Sequence, residues 1–262
     1  MGVRLTTNDI RAACRLVGEC RDVGADANAW QLRLLDGLRA LTGAVVGISG
    51  NFEHVKRGKK PASYGSVRLG WPDARSERAW LEYTSDTPWE RTPEFSRLIL
   101  NYSEETTRTR DEIWGRQAWY RSDTFNRRHK ASGIDDYIIS IRAVPGQDLC
   151  HSLWLHRAVG DKPFTRREVE ILNIVHAEMA RHIGGSVATA REPKMSDLSA
   201  RQREVLYRLL GGDSEKQAAR ALGVSVPTLH EYVGVVYKHY GASSRAELMA
   251  KFVGRGVGAR NT

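Results

Sequence analysis

The last quarter of the chain consists of short helical patterns separated by glycines, and this spacing limits the folds it can adopt. Between Leu198 and Val253 apolar residues recur at helical spacing, and glycines at 211–212 and 223 interrupt them. A serine stands where each of three helices would begin: Ser199, Ser214 and Ser225. No strand pattern occurs in this segment. A helical unit of this size buries little, so the pattern favours a presented surface over a catalytic pocket.

The third of these helices has two distinct faces. Its inward positions are apolar: Val226, Leu229, Val233, Val236 and Tyr240. Its outward positions are mostly short and polar: Thr228, His230, Glu231, Gly234, Val235 and Lys238. The major groove of DNA admits a helix that projects short polar side chains from its first turns. The helix N-termini at Ser214 and Ser225 can also each offer N–H groups to a phosphate.

Residues along the whole segment resemble the LuxR-type (GerE-type) helix-turn-helix of bacterial transcription regulators, without a gap. The matching residues are Leu198, Arg201, Arg203, Glu204, Val205, Leu206, Gly212, Ser214, Lys216, Ala219, Leu222, Ser225, Thr228, Leu229, Tyr237, Gly241, Ser244, Arg245, Glu247 and Leu248. The resemblance implies that the third helix enters the major groove and that a fourth helix, ending at Phe252, mediates dimerisation. It also implies that the amino-terminal part of the chain senses a signal.

Carried onto this sequence, the resemblance assigns roles to eight residues. The residues expected to contact the DNA backbone are Ser214, Lys216, Ser225 and Thr228. The residues expected to face the groove are His230, Glu231, Gly234 and Lys238. In the fourth helix the resemblance predicts dimer contacts from Leu248, Met249 and Phe252. This sequence departs from the family, which often has lysine at the position of His230, histidine at that of Tyr232 and a basic residue near Gly234. In addition, the carboxylate of Glu231 repels phosphate. The base preference of relatives therefore cannot be transferred to this chain.

The amino-terminal part mixes helix and strand patterns. Helices are predicted at 7–23, from Asp26 onward, near 74–84, and from the capping box of Thr165 and Glu168 to Gly184. Strands are predicted at 44–52, 136–144 and 148–159, the last two joined by a Pro-Gly turn. These patterns indicate an α+β domain with an antiparallel sheet and flanking helices. Their order resembles a GAF/PAS-like sensor domain over roughly residues 5–185.

One face of the predicted strand at 149–156 mixes polar and aromatic side chains, as ligand pockets often do, while the other is mainly leucine. Packing against another layer or exposure to solvent is the alternative. For a ligand pocket we select aromatic residues of this domain: Trp119, Tyr120, Tyr137 and Trp154. Core packing is the competing interpretation for these rings. No acyl-homoserine-lactone receptor motif is evident around Trp119 and Tyr120.

The closing helix of this part is apolar over a broad arc, because Ile171 and Ile174 widen the stripe that contains Leu172 and Val175. Such a helix must be buried on two sides. A homodimer contact through Ile171 and Ile174 is one explanation, and deeper burial in the same domain is the other.

Composition and charge set further expectations. The net charge is +9, and residues 196–262, with ten Lys or Arg and six Asp or Glu, contribute +4. All seven Trp precede the segment 186–197, which lacks apolar periodicity and therefore resembles a linker. We predict a sensory and dimerisation domain at 1–185, a linker at 186–197 and a DNA-binding domain at 198–262. The odd number of cysteines makes a disulfide framework unlikely and fits a reducing cytosol. The start of the chain lacks the apolar core of a signal peptide, and no apolar run approaches the ~18 residues that a membrane span needs. We therefore expect a cytoplasmic protein that does not enter a membrane.

No sequence motif indicates catalysis. The chain shows no phosphate-binding glycine loop, nucleophile motif or metal-ligand spacing, so we predict no enzyme, no cofactor and no metal. The glycine-rich tail from residue 254 does not lie between a strand and a helix, and the basic run at 56–60 is predicted to be a solvated loop.

The sequence therefore predicts a one-component regulator that binds specific double-stranded DNA as a homodimer, with a ligand or protein signal at the amino-terminal domain. RNA polymerase and a small molecule are open as further partners. A sigma-like promoter-recognition factor, a ligand-free protein-interaction regulator and an enzyme with an appended DNA-binding module are the rival hypotheses. The sigma-like rival requires an all-helical partner domain.

Overall fold

The computed structural model describes residues 4–53, 63–86, 92–101, 105–253 and 255. The chain divides into two compact units, which we call the first unit (residues 1–20 and 31–183) and the second unit (residues 21–30 and 184–262). The predicted loop at 56–60 lies outside the described residues, as does the glycine-rich tail apart from Arg255. In the described part of the chain, no helix has the length and apolar character required to cross a lipid bilayer.

The first unit is built on a five-stranded antiparallel sheet. Its strands are β1 (Val46–Phe52), β2 (Ser63–Leu69), β3 (Thr106–Thr109), β4 (Ile134–Ala143) and β5 (Cys150–Ala158). The spatial order is β2-β1-β5-β4-β3, and every neighbouring pair is antiparallel. The predicted α+β architecture is confirmed, and β1, β4 and β5 correspond to the three predicted strands.

The turn between β4 and β5 explains why that hairpin could be recognised in the sequence. Pro145 and Gly146 occupy its two central positions, and Gly146 has a φ of 73°. The Gln147 N–H donates to the Val144 carbonyl over 3.1 Å, which closes the turn. Proline supplies the fixed φ of the first central position, while the second requires a positive φ that glycine adopts without strain.

In the described part of the chain, seven α-helices precede, follow or lie between these strands along the sequence. They are α1 (Thr7–Asp22), α2 (Ala27–Thr42), α3 (Ala74–Asp86), α4 (Pro93–Asn101), α5 (Arg110–Trp114), α6 (Arg116–Arg121) and α7 (Arg166–Ala180). A π-helical turn covers Thr124–His129. The predicted capping box of α7 is present, since Thr165 accepts from the Glu168 N–H and the Glu168 side chain accepts from the Thr165 N–H. The regular helix ends at Ala180, a turn earlier than predicted.

One face of the sheet carries a buried chain of polar side chains. The Ser49 hydroxyl donates to Gln31 Oε1 over 2.5 Å and lies 2.8 Å from His151 Nε2. His151 Nδ1 in turn lies 2.9 Å from His176 Nε2. We call Gln31, Ser49, His151 and His176 the polar chain; it connects α2, β1, β5 and α7, and each member is at most 1% exposed. Buried polar groups are stable in such a position when they satisfy one another.

The second unit holds four helices: α8 (Ala200–Leu210), α9 (Glu215–Leu222), α10 (Val226–Tyr240) and α11 (Arg245–Ala250). Each begins at a serine whose side chain accepts a backbone N–H: Ser199, Ser214 and Ser225, as the sequence predicts, and Ser244. Gly223 and Gly241 end α9 and α10 in the left-handed conformation. The predicted linker at 186–197 belongs to this unit, where the Ala188 carbonyl accepts a hydrogen bond of 2.9 Å from Trp30 Nε1.

Candidate nucleic-acid interface and ligand cavity

The start of α10 is fixed by its own cap. The Ser225 hydroxyl accepts from the Thr228 N–H over 3.2 Å, and the two hydroxyl groups lie 2.8 Å apart. Pro227 occupies the first turn, where a missing N–H leaves no helical hydrogen bond unmade. At α9, Ser214 and Gln217 form a reciprocal capping box. Both helices therefore begin at defined points, with their positive dipole ends directed out of the N-termini.

The eight residues assigned to DNA contact share the outer surface of α9 and α10. Thr228 is half-buried, and the other seven are exposed: Ser214, Lys216, Ser225, His230, Glu231, Gly234 and Lys238. The opposite face of α10 is buried in the core through Leu229, Val233, Val236 and Tyr240. Val235, on the outer face, is 45% exposed. The amphipathic pattern thus separates the two faces of α10 correctly except at Val226, which was predicted to point inward but is 42% exposed, because it lies in the first turn at the surface end of the helix.

Several arginines in the second unit stabilise its fold, a role the sequence analysis did not assign. Arg203 donates to the Leu198 carbonyl over 2.7 Å. Arg245 donates to the Asp213 carbonyl over 2.7 Å and also to the Leu209 carbonyl. Charged donors satisfy these loop and helix-end carbonyls. These arginines are consequently engaged with the backbone, whereas Lys216 and Lys238 are exposed on the outer surface.

Carboxylates also lie on this outer surface. His230 Nδ1 is 3.2 Å from Glu215 Oε2, which links α10 to the first turn of α9. Glu231 follows His230 and is exposed. The surface is therefore of mixed charge, with two lysines, two carboxylates and a histidine. A mixed surface contributes less non-specific attraction to phosphate than a purely basic one.

Three of the five predicted dimer residues are buried within their own unit: Leu248, Phe252 and Ile171. Leu248 is fully buried and Phe252 is 7% exposed, both in the helical core. Ile171 of α7 is 1% exposed, in accord with the alternative of deeper burial. Met249 keeps 38% of its surface and Ile174 is half-buried. Of the five predicted dimer residues, Met249 and Ile174 are therefore the two whose side chains a second copy could contact in this conformation.

A cavity of about 520 Å³ opens on the other face of the sheet from the polar chain. Residues of β1, β2 and β5 form one wall, including Phe52, Arg68 and Trp154. The opposing residues come from α3, the start of α4 and the π-helical turn: Trp80, Tyr83, Thr84, Thr92, Glu94 and His129. This volume falls within the range that small-molecule sites occupy.

The four residues selected for a ligand pocket have different positions. Trp154 lines the cavity. Trp119 and Tyr137 are fully buried in an adjoining aromatic cluster and are not among the lining residues, although the Tyr137 ring is 5.6 Å from that of Trp154. Tyr120 is 39% exposed, and its hydroxyl donates to Asp135 over 2.8 Å. Trp80, Tyr83 and Glu94 also line the cavity and were not selected from the sequence, because residues 53–134 show little hydrophobic periodicity.

Beside the aromatic cluster lies an ionic cluster, which we define as Arg110, Asp111, Tyr120, Asp135 and Asp136. Arg110 is 1% exposed and bonds Asp135 over 2.9 Å, Asp136 over 3.3 Å and Asp111 over 2.8 Å. Burial alone would lower the pKa of Arg110, but Asp136 and the hydrogen bonds that Arg110 donates to Tyr120 and Asp111 raise it above the usual value. Asp135 also accepts from Trp119 Nε1 over 2.8 Å. Trp119 and Tyr120 are therefore held by this cluster.

The buried histidines of the first unit are neutral. Burial lowers the pKa of His151 and of His156 to about 3, and lowers that of His129 and His176 well below the usual value. His151 and His156 lie on opposite faces of β5, as the alternation predicts. Within the described ranges, no three His, Cys, Asp or Glu side chains gather into a possible metal site.

Comparisons with known proteins bear mainly on the second unit. The family model of bacterial regulatory proteins, luxR family, matches residues 196–252. Among solved structures, SdiA from Escherichia coli has a TM-score of 0.44 and 13% identity, covering 95% of this chain and 98% of SdiA. CepR2 from Burkholderia cenocepacia, described as N-acylhomoserine lactone dependent, has a TM-score of 0.42 and 13% sequence identity. That match covers 67% of this chain and 95% of CepR2. No curated protein matches the chain by sequence.

The two structures are too distant to carry an argument about this chain. The family match, in contrast, includes the whole of α8, α9, α10 and α11. It contains the four serine caps, the glycine turns and the outer face of α10 described above. Residues 196–252 are a helix-turn-helix domain of the luxR family of bacterial regulatory proteins.

Proposed function

We propose that this chain is a bacterial transcription regulator that binds specific double-stranded DNA as a dimer and responds to a small molecule in the cavity of the first unit. Its sensory part would extend to residue 185, followed by a linker to 197 and the DNA-binding domain from 198. The observation that carries the proposal is the outer face of α10. There a capped N-terminus and exposed polar residues occur together in a helix-turn-helix domain of the luxR family.

Each feature of that face has a use in binding DNA. The N–H groups at the starts of α9 and α10 suit phosphate oxygens, as do the ammonium groups of Lys216 and Lys238. His230 and Glu231, near the start of α10, suit base edges, because a carboxylate accepts from cytosine N4. The Val235 side chain offers an apolar contact of the kind that a thymine methyl group makes.

Two other hypotheses fit less well. A sigma-like factor would need an all-helical partner domain, whereas the first unit is built on a five-stranded sheet. A ligand-free interaction module would have a filled core, whereas the first unit contains a cavity of about 520 Å³. Of the predicted dimer residues, Met249 and Ile174 keep exposed surface in the described chain, and we propose them as the dimer contacts.

The direct test is recovery of bound DNA from sheared genomic fragments by the purified full-length chain, followed by footprinting of the enriched sequence. We expect a protected site of two-fold symmetry, because paired modules require paired half-sites. Half-sites one helical turn apart, or a multiple of it, would support the dimer. Failure to enrich any sequence, or enrichment of single half-sites, would contradict the regulator or the dimer respectively.

Lys238→Ala should weaken binding to every DNA sequence and make it less sensitive to salt. An ammonium that neutralises one phosphate contributes about 0.9 to the slope of log K against log salt concentration. The slope is measured by titrating a fluorescent duplex at several salt concentrations. Lys251→Ala is the matched control, since Lys251 is exposed after α11 and away from the proposed face. Equal slopes for the wild type and Lys238→Ala would remove Lys238 from the backbone contacts.

Gly234→Ala should stabilise the fold and weaken DNA binding at once. A Cβ on Gly234 meets no atom within 4 Å, and alanine favours a helix interior by about 1 kcal/mol over glycine. On a face pressed into the groove, that methyl group would displace the base contacts, at a cost of about 1 kcal/mol or more.

Gly18→Ala is the control for this effect. Gly18 lies in α1, and its Cβ would also meet nothing within 4 Å. We therefore expect Gly18→Ala to raise the unfolding free energy without changing DNA affinity. If Gly234→Ala behaves in the same way, the centre of α10 does not touch DNA.

A further inference from the structure

Unpartnered polar atoms are concentrated around the cavity of the first unit. The side chain of Glu94 is 2% exposed, and among the described residues its carboxylate oxygens accept no hydrogen bond of good geometry, although the Thr92 side chain and the Glu94 backbone N–H lie near enough to lower its pKa. Arg68 Nε and His129 Nδ1, from two other lining residues, also lack a hydrogen-bond partner there. Polar atoms this deeply buried are nearly always hydrogen-bonded in a folded protein. A ligand that supplies the missing partners would explain why they are retained.

Aromatic rings surround the same space. Trp80 is 5.4 Å from His129 and 5.5 Å from Tyr83, measured between ring centroids. Trp154 stacks on His156 from the opposite wall, with the rings 6.2 Å apart and 11° from parallel. Such walls favour a flat apolar molecule, and the faces of tryptophan and tyrosine also attract a positive charge.

The charges at the cavity indicate which polar group this molecule would carry. Burial raises the pKa of Glu94 to about 7, although the backbone, Arg128, Thr92 and Arg97 lower it. Its position in the first turn of α4 favours the charged form, as do Arg128 and Arg97, but among the described residues no cation lies within ion-pair distance of the carboxylate. Arg128 instead lies over the Tyr83 ring at 4.2 Å. The neighbouring His129 is neutral, so it does not supply a counter-charge.

We propose that the cavity binds a small flat molecule that carries an amine, and that the ammonium group pairs with Glu94 while the aromatic walls hold the rest. The proposal rests on the sensing role proposed above and specifies the chemistry of the ligand. A cation next to Glu94 would complete the carboxylate's interactions and fix it in the charged form. A neutral or anionic ligand would leave the carboxylate uncompensated.

The test uses three probes of one shape and different charge: 2-naphthylmethylamine, 2-naphthalenemethanol and 2-naphthoate. Their binding to the purified full-length chain is measured by calorimetry at pH 8. We expect the amine to bind about tenfold or more tightly than the alcohol, and the acid to bind most weakly. Glu94→Gln should remove most of the amine's advantage. Glu82→Gln, an exposed carboxylate of α3 outside the lining, should preserve it.

A second readout separates charge pairing from a structural effect of the substitution. At pH 7, with the pKa of Glu94 at about 7, binding of the amine should release about half a proton, because the carboxylate becomes fully ionised. Calorimetry in buffers of different ionisation enthalpy measures that release. It should disappear in Glu94→Gln, whose melting curve checks that the variant is folded.

The proposal is overturned if the alcohol or the acid binds as tightly as the amine, if Glu94→Gln keeps the preference, or if no probe binds. Failure of the proposed function gives a different pattern. Amine binding without any protected DNA site would leave the ligand chemistry standing and remove the regulator. A protected site without amine binding would keep the regulator and remove this ligand.

Discussion

Arg110→Gln is expected to lower the free energy of unfolding of the first unit by about 3–5 kcal/mol. Arg110 is the only cation that the ionic cluster contains, and it bonds three aspartates while only 1% exposed. Without it, Asp135 and Asp136 would be two buried carboxylates without their cation, and Trp119 and Tyr120 would lose the anchored carboxylate they donate to. The measurement is urea unfolding followed by circular dichroism and tryptophan fluorescence.

Two further variants test the cause of this loss. Arg127→Ala removes another arginine, but its ion pair with Asp123 is exposed, so the expected change is below about 1 kcal/mol. Adding Asp135→Asn and Asp136→Asn to Arg110→Gln should recover part of the lost stability, because the uncompensated charges disappear. If the triple variant is no more stable than Arg110→Gln, buried charge is not the reason for the loss.

The unbound protein is expected to lose stability as the pH rises, through Glu94. The pKa of this carboxyl is about 7 in the folded chain against an ordinary value of 4.5, so the folded state holds the proton more tightly. The stabilising contribution of the Glu94 proton to the free energy of unfolding is therefore fully present below pH 4.5, and it is lost between about pH 4.5 and 7. A difference of this size corresponds to about 3 kcal/mol. Glu94→Gln should be the more stable protein at pH 8, by up to that amount.

The comparison with Glu94→Gln isolates this carboxyl from other titrating groups. Burial also raises the pKa of Asp136, but Asp136 contributes equally in both proteins. The measurement is the difference in unfolding free energy between the two proteins at several values from pH 5 to pH 8. A difference that does not change with pH would show that Glu94 titrates normally. Addition of 2-naphthylmethylamine should shrink the difference at pH 8.

The elements that could be predicted are those whose pattern is set by local chemistry. The caps at Ser199, Ser214 and Ser225, the Thr165 capping box and the Pro145-Gly146 turn each satisfy backbone groups within a few residues. The amphipathic pattern of α10 likewise depends on a single helix. These signals sufficed for the architecture of the sheet's central strands and for the helix-turn-helix domain.

The missed elements depend on contacts that are distant in the chain. β3 has the sequence TTRT and gains its strand conformation by pairing with β4, 29 or more residues later. α5 and α6 are short, and their position follows from the bonds of Arg110 to Asp135 and Asp136. The cavity combines β1, β5, α3 and α4, so Glu94 could not be recognised from its neighbours. A lone glutamate after Thr92-Pro93 resembles any helix start.

The polar chain has a direction, and that direction determines where its protons are. Gln31 Oε1 can only accept, so the Ser49 hydroxyl points toward it and must itself accept from His151 Nε2–H. Because the imidazole is neutral, His151 Nδ1 is bare and accepts from His176 Nε2–H. The chain of hydrogen bonds then ends at His176 Nδ1, which carries no proton and is buried without a hydrogen-bond donor among the described residues. Both rings are thus fixed as Nε2–H tautomers, because the bond from Ser49 to Gln31 cannot reverse and it sets the direction of the other two.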